Sequence, residues 1–154
     1  MLRLTVVLSV CVALLCSCAT YHDTSRQRLE TLPHHYSQFD VHLAWESRVA
    51  GGETLVDGVA KNVRYAYMYN LEIWVAVLDA RGKSVARSVS YIIPRQLDLD
   101  ETAEFSLKLP VPAPPGTKLR FTYRDRGSDG GGGERHEHGD GGVPWMQSFE
   151  TVVQ

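Results

Sequence analysis

The amino-acid sequence predicts an all-β domain, an antiparallel β-sandwich of about seven strands. Three observations support this fold class. Short segments alternate apolar and polar residues with a period of two, and Gly, Asp and Pro turn signals separate them. No long segment carries the 3.6-residue apolar period of an amphipathic helix. A chain of 154 residues has room for one such domain.

The composition excludes several classes of protein. Hydrophobic residues make up 44% of the chain, which is too many for a wholly disordered protein. The formal net charge of −2 lacks the basic footprint of a nucleic-acid binder. Three cysteines are too few for a small disulfide scaffold.

Residues 1–17 are predicted to be a lipoprotein signal peptide. Arg3 precedes the apolar run 4–15, which is shorter than the roughly 20 residues that a transmembrane helix needs. The run ends in Leu15-Cys16-Ser17-Cys18, which resembles the lipobox of bacterial lipoproteins. This resemblance implies cleavage before Cys18 and lipidation of its sulfur and of the new amino group. Two or three acyl chains together give a durable membrane anchor.

The other cysteines agree with this interpretation. Cys11 and Cys16 leave with the leader, so Cys18 is the single cysteine of the mature chain. Ala19 stands where some lipoproteins have Asp, and by resemblance to enterobacterial lipoproteins this favours the outer membrane. The predicted location is therefore the outer membrane, with the domain facing the periplasm. The alternative is an uncleaved or conventionally cleaved leader with an incidental cysteine.

Residues 18–38 are predicted to be the lipidated cysteine and a flexible tether. The segment is mostly polar and contains Pro33, and a short helical turn around Arg26–Leu32 is the only regular structure expected in it. His34 and His35 are interpreted as part of this solvated linker, with a contribution to a metal cluster as the alternative.

The β-sandwich domain is predicted to span residues 39–154. Its first strand alternates apolar and mostly polar residues. Its third is apolar at every second position and, from Trp74, on the opposite face too, which is typical of a central strand. The predicted strands are Phe39–Glu46, Leu55–Val63, Tyr65–Leu78, Ser84–Ile93, Thr102–Leu109, Leu119–Asp125 and Trp145–Val153.

Turn chemistry separates these strands. In Asp79-Ala80-Arg81-Gly82 the Asp side chain can accept backbone amides and Gly can adopt a positive φ. The return strand places Val85, Val89, Tyr91 and Ile93 on one face and ends at Pro94. Four prolines at positions 110, 112, 114 and 115 exclude a central strand after Leu109.

A family resemblance rests on residues 56–109. Gly58-Val59-Ala60-Lys61-Asn62 precedes a strand ending at Asp79, then Gly82-Lys83, and later Asp100-Glu101-Thr102-Ala103-Glu104-Phe105. This order resembles the FxLyD domains, small immunoglobulin-like domains of bacterial lipoproteins. The segment 75–79 keeps the Asp of the name-giving motif and lacks both aromatic residues, and Asp100 replaces the usual Gly. The resemblance implies an immunoglobulin-like sandwich and an extracytoplasmic accessory or binding module, and it carries over no catalytic residue.

The Gly-rich segment Gly127–Gly142 contains the candidate metal ligands. Its imidazole and carboxylate groups are of the type that binds a divalent transition metal. A solvated loop between two strands is the competing interpretation, because ordering the backbone costs about 1–2 kcal/mol per residue. The candidate ligands are Glu134, His136, His138 and Asp140.

Two aromatic groups have alternative explanations. Tyr65, Tyr67 and Tyr69 either form a platform for a glycan or peptide or simply pack at the rim of a sheet. Trp145 and Phe149 are expected to close the sandwich rather than to bind a ligand.

These patterns predict a binding protein rather than an enzyme. The sequence has no nucleophile elbow and no phosphate-cradling Gly motif between a strand and a helix. The predicted function is a lipid-anchored cell-envelope protein, a non-enzymatic binding or accessory module for envelope protein partners that needs no cofactor. The alternative is a metal- or small-ligand-binding lipoprotein that uses the Gly-rich loop. Membrane contact is expected through the lipid anchor, and no nucleic-acid partner is expected.

Overall fold

The computed structural model describes residues 24–128 and 142–154. Residues 24–31 are helical and form α1. Nine strands follow within the described part of the chain, and their pairings are antiparallel. The strands are β1 (His34–Ser37), β2 (Val41–Ala50), β3 (Glu53–Asn62), β4 (Tyr67–Leu78), β5 (Ser84–Tyr91), β6 (Gln96–Leu97), β7 (Thr102–Leu109), β8 (Lys118–Ser128) and β9 (Val143–Val152).

The strands form two sheets that pack face to face. The first sheet has the order β1-β2-β3-β7, and the second has the order β5-β4-β8-β9, with β6 paired to β4. The chain crosses to the second sheet after β3, returns at β7 and crosses again at β8. In immunoglobulin nomenclature, β2, β3 and β7 correspond to strands A, B and E, and β9, β8, β4 and β5 to G, F, C and C′. The predicted immunoglobulin-like sandwich is confirmed, and all seven predicted strands are present.

The core lies between the two sheets. Inward-facing residues from both sheets form one apolar cluster, in which Leu43, Ile73 and Phe121 are at most 1% exposed. Phe149 stacks on Phe121 with a centroid distance of 5.2 Å, and the partly buried Trp145 packs against the same core. The prediction that Trp145 and Phe149 close the sandwich is therefore confirmed.

The Gly58 motif has a packing explanation. Gly58 pairs with Phe105 across the β3–β7 ladder, and the Phe105 ring lies over it. A Cβ added at Gly58 would lie 2.4 Å from Phe105 Cζ and 2.5 Å from the backbone oxygen of Ala44. Only glycine fits this close approach.

Asn62, at the other end of the motif, organises the loops at one end of the sandwich. It is buried, its Nδ2 donates to the carbonyl oxygens of Ala66 and Leu97 at 3.0 Å, and its Oδ1 accepts from the amide of Arg64. These bonds satisfy both N–H groups and the oxygen of the buried side-chain amide, so the residue has a structural role.

The predicted turn after β4 is confirmed. Asp79 Oδ1 accepts from the amides of Arg81 and Lys83, both at 2.9 Å, and Gly82 has a φ of 77°. Asp100, which replaces a Gly of the resembled family, has a φ of 66°. Asp tolerates this left-handed conformation better than most residues, so the turn is kept without glycine.

Residues 24–38 differ from the predicted tether, because they pack onto the first sheet. The helical turn expected near Arg26–Leu32 is present as α1, and Leu29 and Leu32 contact Ala44 and Val59 on the outward side of β2 and β3. Three positions face the sheet, Ser25, Leu29 and Leu32, and they are spaced by four and three residues. Only the two leucines are apolar. The short apolar stripe was therefore not recognised from the sequence.

The two histidines assigned to the linker belong to β1 instead. β1 pairs with β2, and the His34 ring stacks on Trp45 with a centroid distance of 5.5 Å. Tyr36 stacks on Phe149 at 3.6 Å, so β1 covers the edge of the core near β9. A four-residue strand beside Pro33 carries too short an alternation to be separated from a polar linker by its sequence.

The aromatic row of β4 also differs from its prediction. A register shift between Tyr69 and Glu72, with Asn70 at a φ of 51°, inserts an extra residue into the strand. The bulge reverses the alternation, so Met68 is buried and Tyr67 and Tyr69 take the outward side. Tyr65 precedes the strand and is 92% exposed.

Candidate functional site

The outward sides of the two sheets differ in how they are covered. α1 covers part of the first sheet, and Arg28 of α1 pairs with Glu104 on β7 at 3.0 Å. No described residue forms a comparable layer over the second sheet. The outward side of β5-β4-β8-β9, which we call the outer face, is therefore the main candidate for contact with another molecule.

The strand register arranges the outer face in three rows that run from β5 to β9. Adjacent residues of a row are directly paired across the ladders, so their side chains are neighbours. The first row is Tyr91, Glu72, Arg124 and Met146; the second is Val89, Trp74, Thr122 and Ser148; the third is Arg87, Ala76, Arg120 and Glu150.

Exposed apolar and aromatic side chains lie at the margins of this face. Tyr91 is 66% exposed, Met146 65% and Ile93, just beyond β5, 81%. The apolar side of the predicted strand Ser84–Ile93 thus faces outward, while Ala86 contacts the core. Apolar residues in a strand usually mark its buried side, and here they mark the exposed one.

Glu72 connects the first two rows. Its Oε2 accepts from Arg124 Nε at 2.7 Å and from Trp74 Nε1 at 2.8 Å, and its Oε1 accepts from Arg124 Nη2 at 3.1 Å. Partial burial acts to raise the pKa of Glu72, but the hydrogen bonds from Arg124 and Trp74 outweigh it and lower the pKa below its ordinary value. The ionised carboxylate therefore holds the Trp74 indole and the Arg124 guanidinium in place.

A groove lies over the third row. Ala76 forms its floor, and Arg87 and Arg120 flank Ala76 on the neighbouring strands. Its volume is about 340 Å³, and Trp74 and Met146 also line it. We call this concavity the Ala76 groove. It combines an apolar wall with three cations, because Arg124 lines it as well.

The outer face is positively charged although the whole chain is not. Its concavities are lined by five arginines, at positions 87, 95, 120, 124 and 126, whereas its exposed rows contain two glutamates, Glu72 and Glu150. Asp125 also lines one of these concavities, so five cations and three anions leave an excess of two positive charges, compared with −2 for the chain. A face of this composition favours anionic partners.

A buried polar cluster lies beneath one end of this face. Tyr123 Oη donates to the Asp40 carboxylate, 2.9 Å from Oδ1 and 3.0 Å from Oδ2, and Arg64 pairs with Asp125. Burial raises the pKa of Asp125 to about 6, with Arg64 opposing this shift and Asp40 adding to it. Burial, together with the bond to Asp40, also raises the pKa of Tyr123. The cluster joins β8 to the segments before β2 and β4.

The predicted lipid and metal positions lie outside the described residues. These are Cys18 and the four loop residues Glu134, His136, His138 and Asp140. Residues 24–128 and 142–154 contain no group of three or more His, Cys, Asp and Glu side chains arranged to hold a metal. In the same ranges no helix is both long and apolar enough to span a membrane.

Sequence reasoning missed the residues of the outer face, although one signal was present. Arg120, Arg124 and Arg126 recur at even positions along β8, while the odd positions 119–125 are buried. A period of two in arginine marks an outward stripe of cations. The neighbouring residues on β4, β5 and β9 are placed beside it by pairing register, which the sequence does not show.

Comparison with known proteins gives structural similarity only. No family model matches the chain, and no curated protein matches it. The GAE domain of yeast GGA1 is 9% identical with a TM-score of 0.47, and the alignment covers 79% of this chain and 98% of that one. The GAE domain of GGA2p from Saccharomyces cerevisiae is 11% identical, with the same TM-score and coverages of 79% and 96%. The putative ApaA protein from Bordetella pertussis is 14% identical with a TM-score of 0.41, and the coverages are 76% and 96%.

Proposed function

We propose that this chain is a lipid-anchored cell-envelope protein, a non-enzymatic module that binds a protein partner through the outer face. The observation that carries this proposal is the composition of that face. Its exposed Tyr91 and Met146 lie on the same face as Trp74 and several arginines. Trp, Tyr, Met and Arg are the residue types enriched in protein interfaces.

Support for a non-enzymatic role comes from the hydrogen bonds of the serine side chains and of the buried carboxylates. No serine in the described ranges hydrogen-bonds to a histidine, so no Ser–His pair is formed there. The buried carboxylates of Asp40 and Asp125 have partners from the protein itself. Their bonds hold segments of the sandwich together.

Support for the anchor comes from the lipobox-like residues Leu15–Cys18 and from the start of the packed domain. Thr24 lies six residues after Cys18, so the connecting chain spans at most about 20 Å. α1 lies on the first sheet, and the outer face belongs to the opposite layer of the sandwich. A lipid at Cys18 would hold the domain near the outer membrane, with the outer face turned away from α1 toward the periplasm.

Site-specific photo-crosslinking in intact cells tests the binding proposal. A photoreactive amino acid at Tyr91 or at Met146 is expected to form a discrete adduct with one envelope protein, identified by mass spectrometry. The matched control is the same amino acid at Val49, an exposed apolar residue at the end of β2 in the first sheet. Adducts at Val49 equal to those at the outer face, or none at either outer-face position, would contradict the proposal.

The anchor is tested separately on the purified mature protein. Intact-mass measurement is expected to show a chain that begins at Cys18 and carries diacylglyceryl and acyl groups. An unmodified Cys18 would refute the lipid anchor and leave the binding proposal untouched.

A further inference from the structure

We infer that the Ala76 groove receives an acidic side chain of the protein partner, held between Arg87 and Arg120, with a neighbouring apolar side chain against Trp74. This inference rests on the proposed function and specifies the chemistry of the partner. It follows from the geometry of the third row, its charges and its apolar wall.

The geometry allows both arginines to reach one anion. Arg87 and Arg120 pair with Ala76 from its two sides, and neighbouring strands lie about 4.8 Å apart, so their Cα atoms are separated by about 10 Å. Arginine side chains are long enough to converge across that distance. The methyl group of Ala76 leaves the space between them open, and the groove of about 340 Å³ accommodates a carboxylate and its side-chain stem.

The charges of the groove are incompletely neutralised by the described residues. Arg120 donates to one oxygen of Glu150, from Nη2 at 2.7 Å and from Nε at 3.1 Å. Arg87 lies over the Trp74 ring, 5.7 Å from its centroid, and pairs with no carboxylate within 24–128 and 142–154. An incoming carboxylate can therefore accept hydrogen bonds from Arg87 without displacing an existing ion pair.

The apolar wall selects a protein side chain over a small free anion. Trp74 and Met146 line the same groove, and Met146 is 65% exposed. A chloride or phosphate ion would leave this surface in water. An extended segment with an Asp or Glu next to an apolar residue can contact both the arginines and the apolar wall, because its neighbouring residues reach neighbouring rows of the sheet.

The experiment uses the full mature chain with Cys18→Ser, kept in solution, and a synthetic peptide as the probe. The peptide is acetyl-Gly-Leu-Glu-Phe-Glu-Leu-Gly-amide, and its matched control has Gln in place of both Glu residues. Titrations followed by the NMR signal of the Trp74 indole N–H are expected to show binding at least about tenfold tighter for the acidic peptide. Raising NaCl from about 50 to about 300 mM is expected to weaken that binding, because the charges are exposed.

Variants locate the site. Arg87→Gln and Arg120→Gln are each expected to weaken acidic-peptide binding by about fivefold or more. Arg48→Gln, which removes the same charge from the first sheet, is expected to leave it unchanged. All three side chains lie at the surface, and two-dimensional NMR spectra of the variants verify that the fold is retained.

Three results would overturn the inference. The first is equal affinity for the Glu and Gln peptides, and the second is unchanged peptide binding in Arg87→Gln. The third is tighter binding of a heparin oligosaccharide with the same dependence on the arginines, which would mark the groove as a polyanion site. If crosslinks form at Tyr91 and Met146 but the arginine variants do not affect peptide binding, only this inference fails. If no crosslinks form, the proposed function fails irrespective of the peptide result.

Discussion

At the scale of single residues, Gly58 sets the closest approach in the first sheet. The Phe105 ring and the Ala44 carbonyl occupy the volume in which any other residue would place its Cβ. The carbonyl belongs to the β2 backbone, which is paired along its length with β3 and cannot withdraw without breaking ladder bonds. Gly58 and Phe105 are therefore one packing unit.

Gly58→Ala is expected to lower the free energy of unfolding by about 2–3 kcal/mol, because overpacking of a rigid core shifts backbone and ring together. Urea denaturation measures the change. Gly51→Ala serves as the control, since an added Cβ meets no atom within 4 Å there and only left-handed backbone strain of about 1 kcal/mol is expected. Equal losses in the two variants would contradict the packing explanation.

Asp125 makes stability depend on pH. Its pKa is about 6 in the folded protein and 3.8 without the fold, so the folded state binds more protons between these values. The free energy of unfolding should therefore decrease as pH rises from about 4 to about 6, by on the order of 1–3 kcal/mol from this group. The cost of burying the charged carboxylate is then fully present above the folded pKa.

Urea denaturation of the wild type and of Asp125→Asn between about pH 4 and about pH 7 tests this dependence. The variant keeps the shape of the side chain and cannot ionise, so the difference between the two stabilities isolates Asp125 from other titrating carboxylates. A pH-independent difference would show that Asp125 ionises in the fold as it does in the unfolded chain.

At the scale of elements, α1 and β1 extend the sandwich on the side of the first sheet. Leu32 is 8% exposed and packs with Ala44 and Val59, which are fully buried beneath it. Without α1 these two small apolar residues would be on an open sheet surface. The segment predicted as a tether therefore contributes to the stability of the domain.

Leu32→Ala is expected to lower the free energy of unfolding by about 1–3 kcal/mol, through lost apolar burial at the edge of the fold. Chemical denaturation of the mature chain measures this effect. Glu30→Ala, an exposed position in α1 two residues before Leu32, is the matched control and should change stability by less than about 0.5 kcal/mol. If this segment were a free tether, the two variants would have the same free energy of unfolding.

At the scale of the whole molecule, the two layers of the sandwich have different environments. α1 is on the side of the first sheet, and the outer face is on the other. With a lipid at Cys18, a connection of at most about 20 Å would keep the α1 side nearer to the bilayer. The arginines and exposed aromatic residues would then be presented away from the lipid surface.

Single nitroxide labels on the lipidated protein in vesicles test this orientation. With Cys18 blocked by lipid and the leader removed, a label at Arg26→Cys on α1 reports the anchor side, and one at Thr122→Cys reports the outer face. The label at position 26 is expected to be the more accessible to oxygen dissolved in the bilayer. Higher oxygen accessibility at position 122 would reverse the proposed orientation.

Much of the fold was predictable because it depends on local chemistry. Period-two alternation identified the seven long strands, Asp79 and Gly82 identified a turn, and Gly58 and Phe105 pointed to the immunoglobulin-like class. The errors occurred where local patterns are weak or interrupted. β1 has four residues, α1 has two apolar contacts, and the bulge at Asn70 reverses a regular alternation.

The sequence by itself determined the fold class and nearly every strand, since side-chain periodicity and turn residues act over a few positions. It also contains the lipobox-like residues from which an anchor at Cys18 is predicted. Only the tertiary structure decided which sheet side α1 covers, which side stays open, and that Arg87, Ala76 and Arg120 form one row. The physical reason is that these relations depend on register between strands far apart in the chain, where pairing and burial, and not local propensity, place one side chain beside another.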